Sequence, residues 1–485
     1  MDVVIPASDF RWILPEIALT GWALLLLLIG GFGKGTISSR VSGILCLVGS
    51  LFTIYYTVGL WGTRQDVFNG LYTIDDYGTF LKVLFLAILA LIALISLKYG
   101  EETGIGSGEY YSLLMFGVLG MMVMVSSHSF VTIFIGLEVM SLSIYVLCGL
   151  MRDNVKSVEA SLKYFLLGAF ATAFLLYGIA LIYASTGLVD VVELKQYILS
   201  KQPVAAPMFY IGLGLLIVGF GFKIASVPFH MWTPDVYQGA PTSVTAYMAT
   251  GVKAAAFGAL MRVFYTAFLP LISGWSEILW VIAVLTMCVG NITALVQQDV
   301  KRMLAYSSIA HAGYILVAFV TGDKVLSSSV LFYLVAYAFM NIGAFTVVMV
   351  LGRKGDENTD IESYAGLGRR HPFVALSMSI FLLSLAGVPP LAGFAGKFYV
   401  FSAAIKAHYY WLAVIGVLTS AIAAYYYLRV IMYMYFKEPS TMADPVENEP
   451  QYGASMLICI WALLHIGIFP RYFLLLAQKA VGIFS

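Results

Sequence analysis

Four ionisable residues of this sequence stand where charge is expensive. Glu138 lies in Phe130-Val-Thr-Ile-Phe-Ile-Gly-Leu-Glu138-Val-Met-Ser-Leu142, apolar on both sides. Lys223 closes Gly219-Phe-Gly-Phe-Lys223, Lys253 sits in Ala249-Thr-Gly-Val-Lys253-Ala-Ala-Ala256, and Lys397 follows Gly393-Phe-Ala-Gly396. A mid-membrane charge costs at least about 2.5–3.5 kcal/mol on insertion scales, so such residues are functional candidates facing a protein interior. The chemistry they could do is proton transfer. Desolvation weakens a lysine's hold on its proton. A nearby carboxylate restores it, by about 4 kcal/mol for a pair about 4 Å apart at an effective dielectric of about 20. Tightening and loosening one Glu–Lys contact would then load and unload a proton without a metal or an organic cofactor. His230 and His311 could extend the relay, since imidazole titrates near neutrality and passes protons through two nitrogens; a neutral, hydrogen-bonded histidine is the competing reading. Lys163 lies just inside its apolar run, where snorkelling competes with a relay role. Lys82, Arg262, Lys406 and Arg429 lie nearer the ends of their runs and read as structural.

Other chemistries lack their residues. The four cysteines, Cys46, Cys148, Cys288 and Cys459, are isolated in apolar runs, which argues against an iron–sulfur cluster or a disulfide framework. Gly33-Lys34 and Gly396-Lys397 have neither the earlier glycine nor the following Ser/Thr of a phosphate loop, and Gly212-Leu-Gly214 lacks the third glycine of a dinucleotide fingerprint. The expectation is that this chain carries no cofactor and does no redox chemistry itself. A net charge of +1 gives no case for nucleic acid.

The elements that must position these charges are spanning helices. Of the 485 residues 61% are hydrophobic and 11% charged, against about 25% charged in soluble domains. Runs of roughly 20 apolar residues occur about fourteen times: 12–32, 41–61, 78–97, 110–127, 130–150, 160–185, 208–229, 242–268, 276–296, 301–320, 326–351, 372–408, 410–436 and 452–477. They are continuously apolar, whereas barrel strands alternate and stop after about ten residues. The expected fold is all-α, a single polytopic membrane domain over 1–485. Two spans should be discontinuous: Lys223 precedes Pro228, Pro234 and Pro241, and Gly387-Val-Pro-Pro390 precedes Lys397. Proline removes a backbone donor, and paired interrupted helices mark an inverted-repeat transporter. The second break also reads as a loop between two short spans, which would make fifteen. The parts are then N-terminal helices 1–109, a first half 110–268, a second half 276–436 and a last helix 452–477.

An even number of spans puts both ends on one side. The loops after odd spans hold Lys34, Arg40, Lys98, Arg152, Lys156, Lys301, Arg302, Arg353, Lys354, Arg369, Arg370 and Lys437; the side of the ends holds Arg11, Arg64, Lys195, Lys201, Lys324, Arg471 and Lys479. Twelve against seven basic residues place the ends outside by the positive-inside rule. The N-terminal Met-Asp-Val-Val-Ile-Pro lacks a basic region, so the first span is expected to be retained.

Lys223-Ile-Ala-Ser-Val-Pro-Phe-His-Met-Trp-Thr-Pro-Asp-Val-Tyr-Gln-Gly-Ala-Pro241 resembles a signature of the antiporter-like subunits of respiratory NADH–quinone oxidoreductase, complex I. So do Lys301-Arg-Met-Leu-Ala-Tyr-Ser-Ser-Ile-Ala-His-Ala-Gly313 and the broken segment Leu385–Phe398. Of three related types, L adds a long C-terminal lateral helix and M carries glutamate at the position of Lys397; the N type matches best. The resemblance implies that Glu138 and Lys223 pair, that Lys253 bridges onward, and that Lys397 serves a second half-channel. It implies a bacterial inner-membrane location, in which the ends placed outside by the basic-residue count face the periplasm. It further implies other membrane-arm subunits and a peripheral arm as partners, with NADH, FMN, iron–sulfur clusters and quinone on those partners. A subunit of a multisubunit sodium/proton antiporter, a membrane-bound hydrogenase or photosynthetic complex I relative, and a membrane scaffold are the alternatives. Central Glu138 and three buried lysines argue against a scaffold, which gains nothing from their cost.

Overall fold

The computed structural model describes residues 6–32, 36–201, 207–323, 325–352, 359–438 and 449–484. Lys34, Lys324, Arg353 and Lys354 of the topology argument lie outside the described residues. The chain folds into α1 (Leu14–Phe32), α2 (Thr36–Val58), α3 (Asp76–Thr103), α4 (Gly108–Val125), α5 (Phe130–Cys148), α6 (Val155–Thr186), α7 (Val191–Ser200) and α8 (Pro207–Lys223). There follow α9 (Thr233–Gly239), α10 (Thr242–Tyr247), α11 (Lys253–Thr266), α12 (Ile272–Leu295), α13 (Val300–Phe319) and α14 (Ser328–Leu351). The last six are α15 (Leu367–Arg370), α16 (Pro372–Ala386), α17 (Ala392–Lys406), α18 (Tyr410–Phe436), α19 (Pro450–Ile468) and α20 (Pro470–Val481). Between α2 and α3 a short hairpin pairs β1 (Gln65–Val67) with β2 (Tyr72–Ile74) antiparallel.

Among the described residues eleven helices are long and apolar enough to cross a membrane. Fourteen runs were expected, and the three that fall short do so for visible reasons. The run 208–229 stops being helical at Lys223. The run 372–408 is two helices, α16 and α17, separated at Gly387–Leu391. The run 301–320 is helical throughout as α13 but is diluted by Lys301, Arg302, Ser307, Ser308 and His311. The run 452–477 also divides, at Phe469–Pro470, into α19 and α20.

Helix ends follow from local chemistry. Asp75 accepts from the Gly78 amide to start α3, Asn154 from Lys156 and Ser157 to start α6, and Asp299 from Arg302 to start α13, each satisfying amides that have no partner in the first turn. The turn Met248–Val252 widens to π geometry and carries α10 into α11. The resulting helix Thr242–Thr266 is buried along nearly its whole length, while α1 is largely exposed to the surroundings of the bundle. α4 and α5 meet at Gly120 and Gly136, and α6 and α8 at Gly178 and Gly212, where a Cβ would fall 2.5–2.9 Å from the facing carbonyl oxygen. Small residues at such crossings let backbones approach, as is common between membrane helices.

Two contacts repeat along the chain. Ser129, just before α5, bridges Asp190, and Asp299, just before α13, bridges Asp360. The ends of the bundle separate into two faces. On one lie the hairpin, whose Phe68 amide donates to Asp9 Oδ2 at 2.9 Å, and Phe484, whose ring packs 5.0 Å from that of Tyr77. On the other lie Lys98–Glu449 at 2.6 Å, the ion pair of Arg40 with Glu101, and Arg302–Asp235 at 2.7 Å.

Candidate functional site

Lys223, Lys253 and Lys397 are 3%, 2% and 5% exposed. No ammonium of the three reaches an interface, which removes snorkelling as an account of them. Each is instead held by neutral oxygens and aromatic faces.

Lys223 ends α8 and donates to Ser141 Oγ at 2.8 Å and Tyr145 OH at 3.4 Å. Both acceptors lie on α5, three and seven residues after Glu138 and so on its face. The ammonium also lies 5.5 Å from the Tyr145 ring and 5.8 Å from that of Tyr164. Glu138 and Lys223 are thus not in direct contact: Ser141 is the group the lysine touches, and Glu138 Oε1 is buried without a hydrogen-bond partner.

Lys253 opens α11 after the π turn and donates to the carbonyl oxygen of Ser308 at 2.6 Å and to its hydroxyl. Lys397, in the second turn of α17, donates to Ala386 O at 2.9 Å and Ser420 Oγ at 2.7 Å, with its ammonium 4.9 Å from the Tyr314 ring. The break between α16 and α17 leaves Ala386 O without a helical donor, and the lysine supplies one. Gly387, at φ 93°, turns the chain there, and its Cα faces the Lys397 stem.

One helix joins these two lysines. α13 carries Ser308 at Lys253, Tyr314 at Lys397, and His311 between them. His311 Nδ1 lies 2.8 Å from Tyr333 OH and Nε2 3.2 Å from Tyr427 OH, which also bonds Ser307. Tyr314 OH accepts from Asn291 Nδ2 at 2.9 Å, and Tyr426 OH donates to Asn291 Oδ1 at 3.1 Å. Buried hydroxyls and imidazole thus run from Lys253 to Lys397 through a protein interior, the medium in which such networks polarise one another.

The other two candidates sit elsewhere. His230 is half-buried on the turn after Lys223, next to exposed Met231, with Nδ1 unpartnered. Lys163 is 39% exposed, paired with Glu159 at 2.6 Å and Asp235 at 2.7 Å, and Asp235 also holds Arg302. It belongs to a charged mouth on one face of the bundle rather than to the buried row. Sequence reasoning missed Ser141, Tyr145, Ser308, Ser420 and Tyr427, which are common membrane residues with no distinguishing context. It also set aside Lys82 and Arg262, which are 1% and 0% exposed. Among the described residues there is no group of three or more His, Cys, Asp or Glu able to hold a metal ion.

Buried lysines, two broken helices and a polar row through an apolar bundle define an antiporter-type membrane protein. The family model for "NADH:quinone oxidoreductase/Mrp antiporter, TM" matches residues 127–423, and the chain belongs to this family. It is 47% identical to NADH-quinone oxidoreductase subunit N of Trichlorobacter lovleyi, across 97% of this chain and 96% of that one. A chain of respiratory complex I from Thermus thermophilus with bound aureothin superposes with a TM-score of 0.81 at 35% identity, over 96% of this chain and all of that one. A chain of the Mrp complex from a Dietzia species superposes at 0.82 over 96% of this chain and 97% of that one, at 20% identity, a likeness of fold alone.

Proposed function

We propose that this chain is the N-type proton-translocating membrane subunit of an NADH–quinone oxidoreductase. NADH oxidation and quinone reduction take place on partner subunits, and protons cross here through Glu138, Lys223, Lys253, His311 and Lys397. The observation that carries this is the α13 row, which links two lysines buried without a carboxylate partner among the described residues by groups that accept and donate protons. The antiporter alternative shares the family description, but the Mrp chain is only 20% identical, against 47% for the subunit N relative.

In this mechanism Lys223 exchanges Ser141 for Glu138 as its partner. Pairing with the carboxylate holds the proton on Lys223, and returning to the neutral hydroxyl lets it go toward Lys253. From Lys253 it moves along Ser308, His311 and the surrounding tyrosines to Lys397, where the interrupted α16–α17 segment admits water. His230 and Lys163 serve the first half-channel, Lys163 at its charged mouth. The halves are 110–268 and 276–436, a division supported by the matched bridges before α5 and α13. Both ends face the periplasm of a bacterial inner membrane, and the partners are the other membrane-arm subunits and the peripheral arm.

Lys397 gives the test. Lys397→Ala removes the proton-carrying atom, and Lys397→Arg keeps a charge that is never released. Both variants are expected to assemble and to lose NADH-driven proton pumping in inverted vesicles. Full pumping by the Arg variant would show that Lys397 only anchors α17, and would end its role as a carrier.

A further inference from the structure

A second group of buried charges lies outside the row, at the face that carries the hairpin and Phe484. Glu16, in the first turn of α1, is 6% exposed, and Lys82, in the second turn of α3, is 1% exposed. Lys82 Nζ lies 2.9 Å from Glu16 Oε1, and Tyr72 OH donates to the same oxygen at 2.6 Å. The ammonium sits 5.0 Å from the centre of the Tyr72 ring. The other carboxylate oxygen, Glu16 Oε2, is buried with no hydrogen-bond partner.

Three residues along the chain from Tyr72, Asp75 holds both ends of the Arg262 guanidinium, at 2.5 and 2.9 Å. Arg262 also donates to Val125 O at 2.9 Å and lies 3.3 Å from His128 Nε2. The Thr73 amide, donating to Ser126 O at 2.8 Å, fastens this strand over the turn between α4 and α5. Asp75 and His128 line a cavity of about 170 Å³ together with Arg64, Asp66 and Lys195. His128, Arg262 and Asp75 form one polar cluster at that cavity, and Tyr72, three residues before Asp75, joins Glu16 and Lys82 in a second. Lys82 is seven residues beyond Asp75, about 10 Å farther along α3.

Packing alone does not call for this arrangement. Apolar residues of similar volume in place of a buried ion pair are often neutral or stabilising. A carboxylate with one oxygen unsatisfied is a poor structural device, but that oxygen is a vacant proton-binding atom. We infer that Glu16, Tyr72 and Lys82 form a proton-holding station, separate from the Glu138–Lys397 row, that exchanges protons with the cavity at Asp75 and His128. A proton from water adds to Glu16 Oε2 and gives the neutral acid beside the Lys82 ammonium; on release the same O–H bond breaks and the proton returns to water. Lys82 and Tyr72 hold Oε1 throughout and leave Oε2 as the oxygen open to the proton.

This inference rests on the proton-translocating reading, so its test separates the two. The variant is Glu16→Gln combined with Lys82→Met in the intact complex, which removes both charges together and strands neither. Two quantities are read: the protonated-carboxyl infrared band in acid-minus-alkaline difference spectra, and protons moved per NADH oxidised. The station requires that part of the band disappear and that the ratio fall to less than half. An unchanged band, or an unchanged ratio, overturns it, because a structural ion pair replaced by two neutral groups leaves both intact. Lys397→Ala is measured alongside. If it too pumps normally, the translocating reading fails; if it does not while the double variant does, only the station fails. Should the double variant not assemble, Tyr72→Phe removes one hydroxyl and must move the pH at which the Glu16 band appears, and a fixed pH overturns the station.

Discussion

Lys253 shows how much a single oxygen can matter. Its ammonium donates hydrogen bonds to one residue, Ser308, through a carbonyl and a hydroxyl, beside the Tyr337 ring at 5.8 Å. Hydrogen bonds to charged groups contribute about 1.5–3 kcal/mol, so Ser308→Ala is expected to slow pumping about tenfold or more while the complex assembles; an unchanged initial pumping rate in inverted vesicles would remove Ser308 from the row. Glu138→Gln is expected to abolish the exchange of partners at Lys223 and to lower pumping without loss of assembly, checked by the same assay beside a native gel. The lysines and Glu138 were legible because an apolar neighbourhood makes a charge conspicuous. Ser141, Ser308 and Tyr427 were not, since hydroxyls are cheap in membrane helices and only contact distinguishes one from another. Lys82 illustrates the converse. Its place near the end of a run gave it only a structural reading, and its burial by Glu16 and Tyr72, far away in sequence, left no local sign.

At the scale of elements, the breaks work through close approach. A Cβ on Gly393 would fall 1.8 Å from Ser384 O, so any side chain there pushes α17 away from α16 and carries Lys397 with it. Gly393→Ala is expected to destabilise the subunit by about 1–3 kcal/mol, the usual cost of overpacking, read as a lower thermal midpoint of the solubilised complex together with reduced pumping. Gly214→Ala is the matched control: it lies in α8 with nothing near its Cβ position, and alanine there should be neutral or stabilise by about 0.5–1 kcal/mol. If both substitutions behave alike, close packing does not set the α16–α17 geometry. Prolines lie at or just after both interruptions, Pro228 after the end of α8 and Pro389–Pro390 between α16 and α17. They did not announce that 452–477 would divide at Pro470, because a proline inside an apolar run reads equally as a kink.

For the whole molecule, sidedness and cohesion are the testable properties. Phe484 packs against Tyr77 and Tyr265 on the hairpin face, with Arg64 and Lys195 around the adjoining cavity. A reporter active only in the cytoplasm, fused after Ser485, is expected to stay silent, and activity would invert the topology. Arg262 ties α11 to Asp75 at the start of α3 and to Val125 at the end of α4. Arg262→Met leaves Asp75 buried and unpaired, at an expected cost of about 3–5 kcal/mol, enough to reduce the assembled complex on a native gel.

What the sequence determined by itself is the solvent and the element type. With 61% hydrophobic residues in long unbroken runs, the chain must face lipid, and in lipid every backbone group has to be satisfied within its own helix. It also determined which charges are costly enough to need a reason. Tertiary structure alone decided which of those charges meet. α13 lies between Lys253 and Lys397 because glycines at 290 and 313 let it sit against α12, within 3 Å at their Cβ positions, and Lys163 falls outside the row because Asp235 and Glu159 draw it to the charged mouth. Apolar runs specify depth along one axis. The partner of a buried charge is set by rotation about helix axes and by crossings between residues far apart in sequence, and neither leaves a local trace in the chain.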